Sequence, residues 1–186
     1  SRPLLGQTEV KPFNQKMYHG SGKTADQIYT SAQVPILGQG KYWAFSESNA
    51  KQFGDNVETS SLSLKNPLVI TKDDDWRQLA KEAGWKYPNP IGMDEKTVKQ
   101  YTDALKLMVT DAGYDGIVIR MAPGEDTSLL FDVFGMPQVV DYGVKLTEKT
   151  ITETAPVNAD AKRAEWLDTW RQKNPYLKTE PIMVDG

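Results

Sequence analysis

Between residues 95 and 112, Val98, Tyr101, Leu105, Met108, Val109 and Ala112 recur at three- and four-residue steps, and Gly113 follows. That spacing puts one apolar stripe on a helix, and such a stripe must be buried against another layer of structure. The sequence supplies the layer at once: Asp115-Gly116 turns the chain into an apolar run over residues 117–121, short enough to be a buried strand. Residues 129–134 and 138–144 read as two further strands.

Upstream, residues 16–19 form a short strand that ends at Gly20-Ser21-Gly22. Thr24 with Gln27 makes a capping box for a helix over 25–29, and the aromatics of 41–45 read as strand. Ser46, Ser48 and Asn49 are each able to cap a short helix that runs to Phe53 and stops at a left-handed Gly54. Leu62, Leu64, Leu68 and Ile70 make a strand bent at Pro67, and Asp73-Asp74-Asp75 opens a helix over 76–83 that Gly84 ends. A last helix spans 160–172, with Ala164, Leu167 and Trp170 on its stripe and Trp166 beside them, to be packed on the core or on a partner, the core being preferred. Trp76, Trp85 and Tyr87 read as packing around the first long helix or in a surface loop. Strands and helices do not alternate strictly, so the reading is α+β with a mostly antiparallel sheet. No glycine-rich phosphate-binding motif follows a strand.

Composition narrows the chemistry. Among 186 residues there is no cysteine and one histidine, His19, which removes thiolate nucleophiles, disulfides and multi-histidine metal sites. A net charge of −3 gives no bulk positive field for a nucleic-acid backbone, and no apolar run reaches the ~18–20 residues that cross a bilayer. No repeat or linker divides the chain, which is read as one domain over 1–150 with a helix and tail over 151–186. It opens on Ser1 without a targeting segment, and is read as a piece of something longer.

Three segments carry the remaining chemistry. The first is Tyr18-His19-Gly20-Ser21. The second is Gly38-Gln39-Gly40-Lys41-Tyr42-Trp43-Ala44-Phe45-Ser46, with Ala50 and Phe53-Gly54 after it. The third is Gly113-Tyr114-Asp115-Gly116-Ile117-Val118-Ile119, then Gly124-Glu125-Asp126-Thr127-Ser128-Leu129-Leu130-Phe131-Asp132. Singly they have bland readings: a satisfied histidine, core aromatics, an acidic turn.

In this order they resemble the ADP-ribosyltransferase superfamily, in the branch whose signature is His, Tyr and a third, usually acidic, residue, as in diphtheria-toxin-like toxins, poly-ADP-ribose polymerases, and phage and bacterial members. The resemblance covers roughly residues 17–140. His19-Gly20 looks like the first motif and Tyr42 in Gly-x-Gly-x-Tyr like the second; the family's second aromatic, eleven residues on, falls on Phe53. The resemblance implies a split antiparallel β-sandwich with flanking helices and NAD bound as substrate in the cleft. It implies transfer of ADP-ribose to an acceptor, with a protein favoured over nucleic acid by the net charge.

Breaking the nicotinamide–ribose bond develops positive charge on the ribose as a neutral ring leaves. On the resemblance, Tyr42 and Phe53 sandwich the cationic nicotinamide, His19 holds ribose hydroxyls, and the Gly20 backbone holds the carboxamide. A carboxylate stabilises the developing charge. The aligned acidic position falls on Thr127, so Asp126 is the first choice, then Glu125, then Asp132, and Gln138 if the loop is longer. The rival readings are an inactive binding module of the same fold and an NAD glycohydrolase.

Overall fold

The structure is a computed structural model and describes residues 4–22 and 35–145. The helices expected over 25–29 and 160–172, and the tail over 151–186, lie outside the described residues. The fold is mixed α+β, built on one six-stranded sheet. Its strands are β1 (Phe13–Ser21), β2 (Lys41–Ala44), β3 (Asn56–Leu64), β4 (Pro67–Ile70), β5 (Gly116–Ile119) and β6 (Gln138–Asp141). They are ordered β3-β1-β2-β6-β5-β4, antiparallel at every junction except the parallel β4–β5 pair. Helices α1 (Glu47–Ala50), α2 (Asp73–Glu82), α3 (Glu95–Asp111) and α4 (Ser128–Phe134) complete the described fold with two 3-10 turns, Leu4–Gly6 and Lys51–Phe53.

β3 and β4 stand at opposite ends of the strand order, yet only Lys65 and Asn66 separate them in the chain. Five strand spacings in a flat sheet amount to ~24 Å, whereas three Cα steps reach at most ~11 Å. The sheet is therefore rolled. Leu64 of β3 in consequence touches β5, where a Cβ built on Gly116 would lie 2.9 Å from Leu64 Cδ1. Asp115 clamps the corner: its carboxylate accepts the backbone N–H groups of Lys65 (2.8 Å) and Asn66 (3.1 Å).

Rolling divides the core. The inner face encloses Phe13, Met17, Trp43, Leu62, Leu64, Val118 and Val139, with Arg120 lying over the rings of Phe13 and Phe45 at 5.5 and 5.6 Å. The outer face carries the larger core, in which Leu68, Ile70, Ile117, Ile119 and Val140 meet the apolar stripes of α2, α3 and α4. Trp76 and Trp85 lie inside it, edge to face at 5.2 Å, while Tyr87 is exposed. Their indole N–H groups donate to Pro88 O and Tyr101 O, each at 2.7 Å, so both rings are buried without an orphan donor.

The stripe of α3 is buried as its period requires, and Asp94 caps it, accepting from Thr97 N (2.9 Å) and Thr97 Oγ1 (2.7 Å). These bonds from Thr97 hold the Asp94 carboxyl below its ordinary 3.8. Because the folded-state value is the lower one, the cap's contribution is complete above 3.8 and lost as pH falls through the folded value. The melting-temperature gap between wild type and Asp94→Ala is thus expected to be constant from pH 7 to about 5 and to close on further acidification, read by thermal melts.

One element differs in kind from expectation. Residues 129–134 form not a strand but helix α4, in which Leu130, Val133 and Phe134 are buried and Phe131 and Asp132 exposed. The cause is remote. Asp73, 1% exposed, accepts the N–H groups of Leu129 (2.9 Å) and Leu130 (3.0 Å), satisfying two donors of the first turn that α4 leaves open. The expected bend at Pro67 falls two residues earlier, so that Pro67 opens β4. Helix α1 is capped by Ser46, whose Oγ accepts from Asn49 N, and gives way to the 3-10 turn before reaching Phe53.

Candidate functional site

β1 and β3 pair along their whole length, from Phe13↔Leu64 to Ser21↔Asn56, and β2 pairs with β6 from Lys41 to Ala44. Between β1 and β2 the register holds only at Tyr18↔Ala44. Beyond that point the two strands part. At the parting, His19 Nδ1 lies 2.6 Å from the Tyr42 carbonyl oxygen, a side chain standing where a ladder bond is absent. A carbonyl only accepts, so Nδ1 carries the proton and Nε2 is left as the acceptor of the neutral ring.

Register assigns the faces. Tyr18, Tyr42, Ala44 and Gln138 share the outer face; His19, Lys41 and Trp43 share the inner one. Phe53 joins the outer set, packed with Tyr18, Ala44, Ala50, Met136 and Val57 in a small separate cluster. Tyr42 and Phe53, both half-buried, are therefore on the same side of the sheet, while the half-buried imidazole sits on the other.

Two of the expected residues have close partners within the fold. The Tyr42 hydroxyl donates to Gly38 O (2.6 Å) and accepts from Leu37 N (3.1 Å), and Tyr142 Oη donates to Leu37 O (2.6 Å). Both phenols latch the loop entering β2, and burial pushes both far above their ordinary pKa. What Tyr42 offers a ligand is a ring and not a hydroxyl. Gly20 also has a packing reason to be bare: a Cβ there would lie 1.8 Å from Ala50 O, so the space is filled by the turn carrying Phe53. Gly54, at φ +149°, makes the matching approach, its built Cβ falling 1.9 Å from Ser21 O.

Asp126 does not join these residues. It lies past the end of β5, where its carbonyl accepts from Asp73 N (2.8 Å) and its Oδ1 from Ser128 N (3.3 Å). The Ser128 N–H, bonded to that carboxyl, is the chief cause that holds it below the ordinary value. β2, β6 and β5 stand between β1 and β4, the strand that leads to Asp73. Glu125 is exposed on the same loop, and Asp132 is exposed on α4.

Gln138, ranked last among the third-motif choices, is the one on a strand adjoining β2. It sits directly across from Ala44, 3% exposed, and its Nε2 donates to Phe134 O (3.1 Å) and Met136 O (3.2 Å). No protein-family model, curated protein or solved structure matches this chain. The site stands on its geometry.

The inner face holds a group that sequence reading passed over. Glu58 is directly opposite His19 in the β1–β3 ladder, and its Oε2 accepts from Lys41 Nζ at 2.8 Å. Because Lys41 is on β2 and Glu58 on β3, the pair spans β1 above His19. Lys41 Nζ is also 4.7 Å from the centroid of Trp43, whose ring lies 5.5 Å from the imidazole, tilted 54°. Trp43 is 5% exposed, and its Nε1 has no hydrogen-bond partner among the described residues. The Lys41 hydrogen bond, aided by the charge of Lys41, holds Glu58 below the ordinary carboxylate value. Elsewhere, a cleft of about 390 Å³ beside β4, lined by Gln7, Thr8, Glu9, Lys11 and Asp75 among others, contains none of the candidate residues.

Proposed function

We propose that the chain is an NAD-dependent ADP-ribosyltransferase domain, with NAD entering where β1 and β2 part. The observation that carries the reading is that His19, Tyr42 and Gln138 stand on three adjoining strands where β1 and β2 part, with Tyr42, Gln138 and Phe53 on one face and His19 reaching the Tyr42 carbonyl from the other. The rolled sheet, with its bent β3–β4 strand, is compatible with a split sandwich in which the parted strands open the cleft.

In this reading the cationic nicotinamide stacks on the Phe53 ring beside Tyr42, where an aromatic face attracts charge and excludes water. His19 Nε2 accepts from a ribose hydroxyl and positions the dinucleotide. Nicotinamide leaves with the electrons of the glycosidic bond, the acceptor's nucleophile forms the new bond to the ribose carbon, and the acceptor's proton goes to solvent or a nearby base. Gln138 takes the third-motif position, in place of Asp126. Its amide oxygen stabilises developing charge as a dipole, more weakly than a carboxylate.

That neutral side chain is what favours a second reading, a module that binds NAD without cleaving it. Calorimetric titration of NAD into the full chain, followed by an assay of free nicotinamide, addresses both. Saturable binding is expected, weakened about tenfold in Phe53→Ala as the cation–aromatic contact is lost, with nicotinamide released on incubation. Binding without release leaves the module reading; absence of binding overturns both. Mass spectrometry of the products separates transfer from hydrolysis.

A further inference from the structure

We infer that β3 is an interface between two copies of this chain, joined antiparallel along their exposed edges about a two-fold centred on Ser60. The inference uses no part of the NAD reading. β3 ends the strand order, and among the described residues it pairs with β1 alone. Rolling brings the ends of β3 and β4 together without pairing the two strands. Alternate residues of β3 therefore turn their N–H and C=O groups outward, where no described backbone group meets them.

An edge of that kind is a template for another strand, and folds that keep one free shorten it or set proline or lysine along it. β4 is so guarded: it has four residues, opens on Pro67, and is covered at Val69 by the Gln7 side chain. β3 runs for nine residues without proline, glycine or lysine, and Asn56, Glu58, Thr59, Ser61 and Ser63 are exposed along it.

One open edge per copy selects the partner. Two copies that join β3 to β3 use up the open edge of each, so the assembly closes at two, whereas a β3 to β4 contact, which would propagate, meets a guarded strand. β3 also suits its own reverse. About Ser60 all nine residues pair, from Asn56 against the partner's Leu64 inward, while any other centre leaves strand ends unpaired. Opposed residues then share a face, Thr59 meets the partner's Ser61 hydroxyl to hydroxyl, and Ser60 meets its own copy. The one charge does not oppose itself: Glu58 falls against the partner's Leu62, and its carboxylate is already bonded to Lys41 of its own copy at 2.8 Å. An edge of hydroxyls with its single charge paired in this way offers a foreign peptide no charge to be chosen by.

Light scattering on the full chain tests the interface, with melting curves alongside. Wild type is expected to rise with concentration toward twice the 20.8 kDa of one chain. Thr59→Lys with Ser61→Lys, both at exposed positions, sets lysine against lysine across the two-fold and is expected to leave monomers; Thr59→Lys with Ser61→Glu sets opposite charges there and is expected to keep the dimer. The chain has no cysteine, so Ser60→Cys adds its one thiol on the two-fold, where opposed Cβ atoms lie ~4.5–5.5 Å apart and oxidation is expected to link the copies. Ser63→Cys, whose copies would stand ~20 Å apart, is expected to stay unlinked. A wild type of single-chain mass up to millimolar concentration overturns the interface, as does a dimer indifferent to the lysine pair, or linkage through Ser63→Cys as fast as through Ser60→Cys.

Discussion

Gly20→Ala is expected to destabilise the fold by on the order of 3 kcal/mol and to abolish NAD binding with it. The added Cβ would lie 1.8 Å from Ala50 O, 2.7 Å from Ala50 C and 3.2 Å from Gly54 O, all backbone atoms that no rotamer change removes. Relief requires α1 and the Lys51–Phe53 turn to lift off β1, taking Phe53 away from Tyr18 and Ala44. Denaturant unfolding of the variant, with Gly124→Ala as control, reads the effect. Gly124 has φ +82° and nothing within 4 Å of a built Cβ, so its cost is confined to backbone strain of about 1 kcal/mol. A Gly20→Ala chain as stable as the control would show that the turn does not sit on the strand as described.

Asp115→Ala is expected to cost a similar amount, about 3 kcal/mol, for a reason of topology. The carboxylate is the acceptor for two N–H groups at the corner where the strand turns from β3 to β4, and Asp115 is 5% exposed. Its own N–H donates to Asn66 O (3.2 Å), and its carbonyl accepts from Tyr142 N (3.1 Å), so the backbone there is already committed. Alanine leaves the amides of Lys65 and Asn66 without this acceptor and loosens the closure of the rolled sheet. Asp115→Asn, keeping one acceptor oxygen, is expected to recover about half the loss in the same unfolding measurement. Equal stability of the Ala and Asn variants would mean that the side chain's bonds do not hold the corner.

How much of this was legible in the sequence depended on how local the cause was. Helix α3 announced itself because its stripe lies within its own span and Gly113 follows two residues after its end. Residues 129–134 misled because Leu129-Leu130-Phe131 is apolar enough for a strand, and the carboxylate that caps the helix comes from Asp73, 56 residues from Leu129. The same residue holds the Asp126 loop by another bond: the Asp73 N–H donates to the Asp126 carbonyl, so the backbone of the acidic turn is tied to the start of α2. His19, Tyr42 and Phe53 were nameable by resemblance, whereas the face each occupies followed only from register. Glu58 was invisible for that reason, since nothing near it in the chain says that its neighbour is His19.

β4 ends the strand order, which leaves one side of it without a strand partner, and Gln7 fills the gap. Its amide imitates a peptide unit, Nε2 donating to Val69 O at 2.6 Å and Oε1 accepting from Val69 N at 3.1 Å. The Tyr114 hydroxyl steadies the segment, accepting from Leu4 N at 3.2 Å and donating to Gln7 O at 3.4 Å. One glutamine side chain thereby occupies the backbone groups of Val69 that an incoming strand would otherwise pair with, a role quite separate from any ligand.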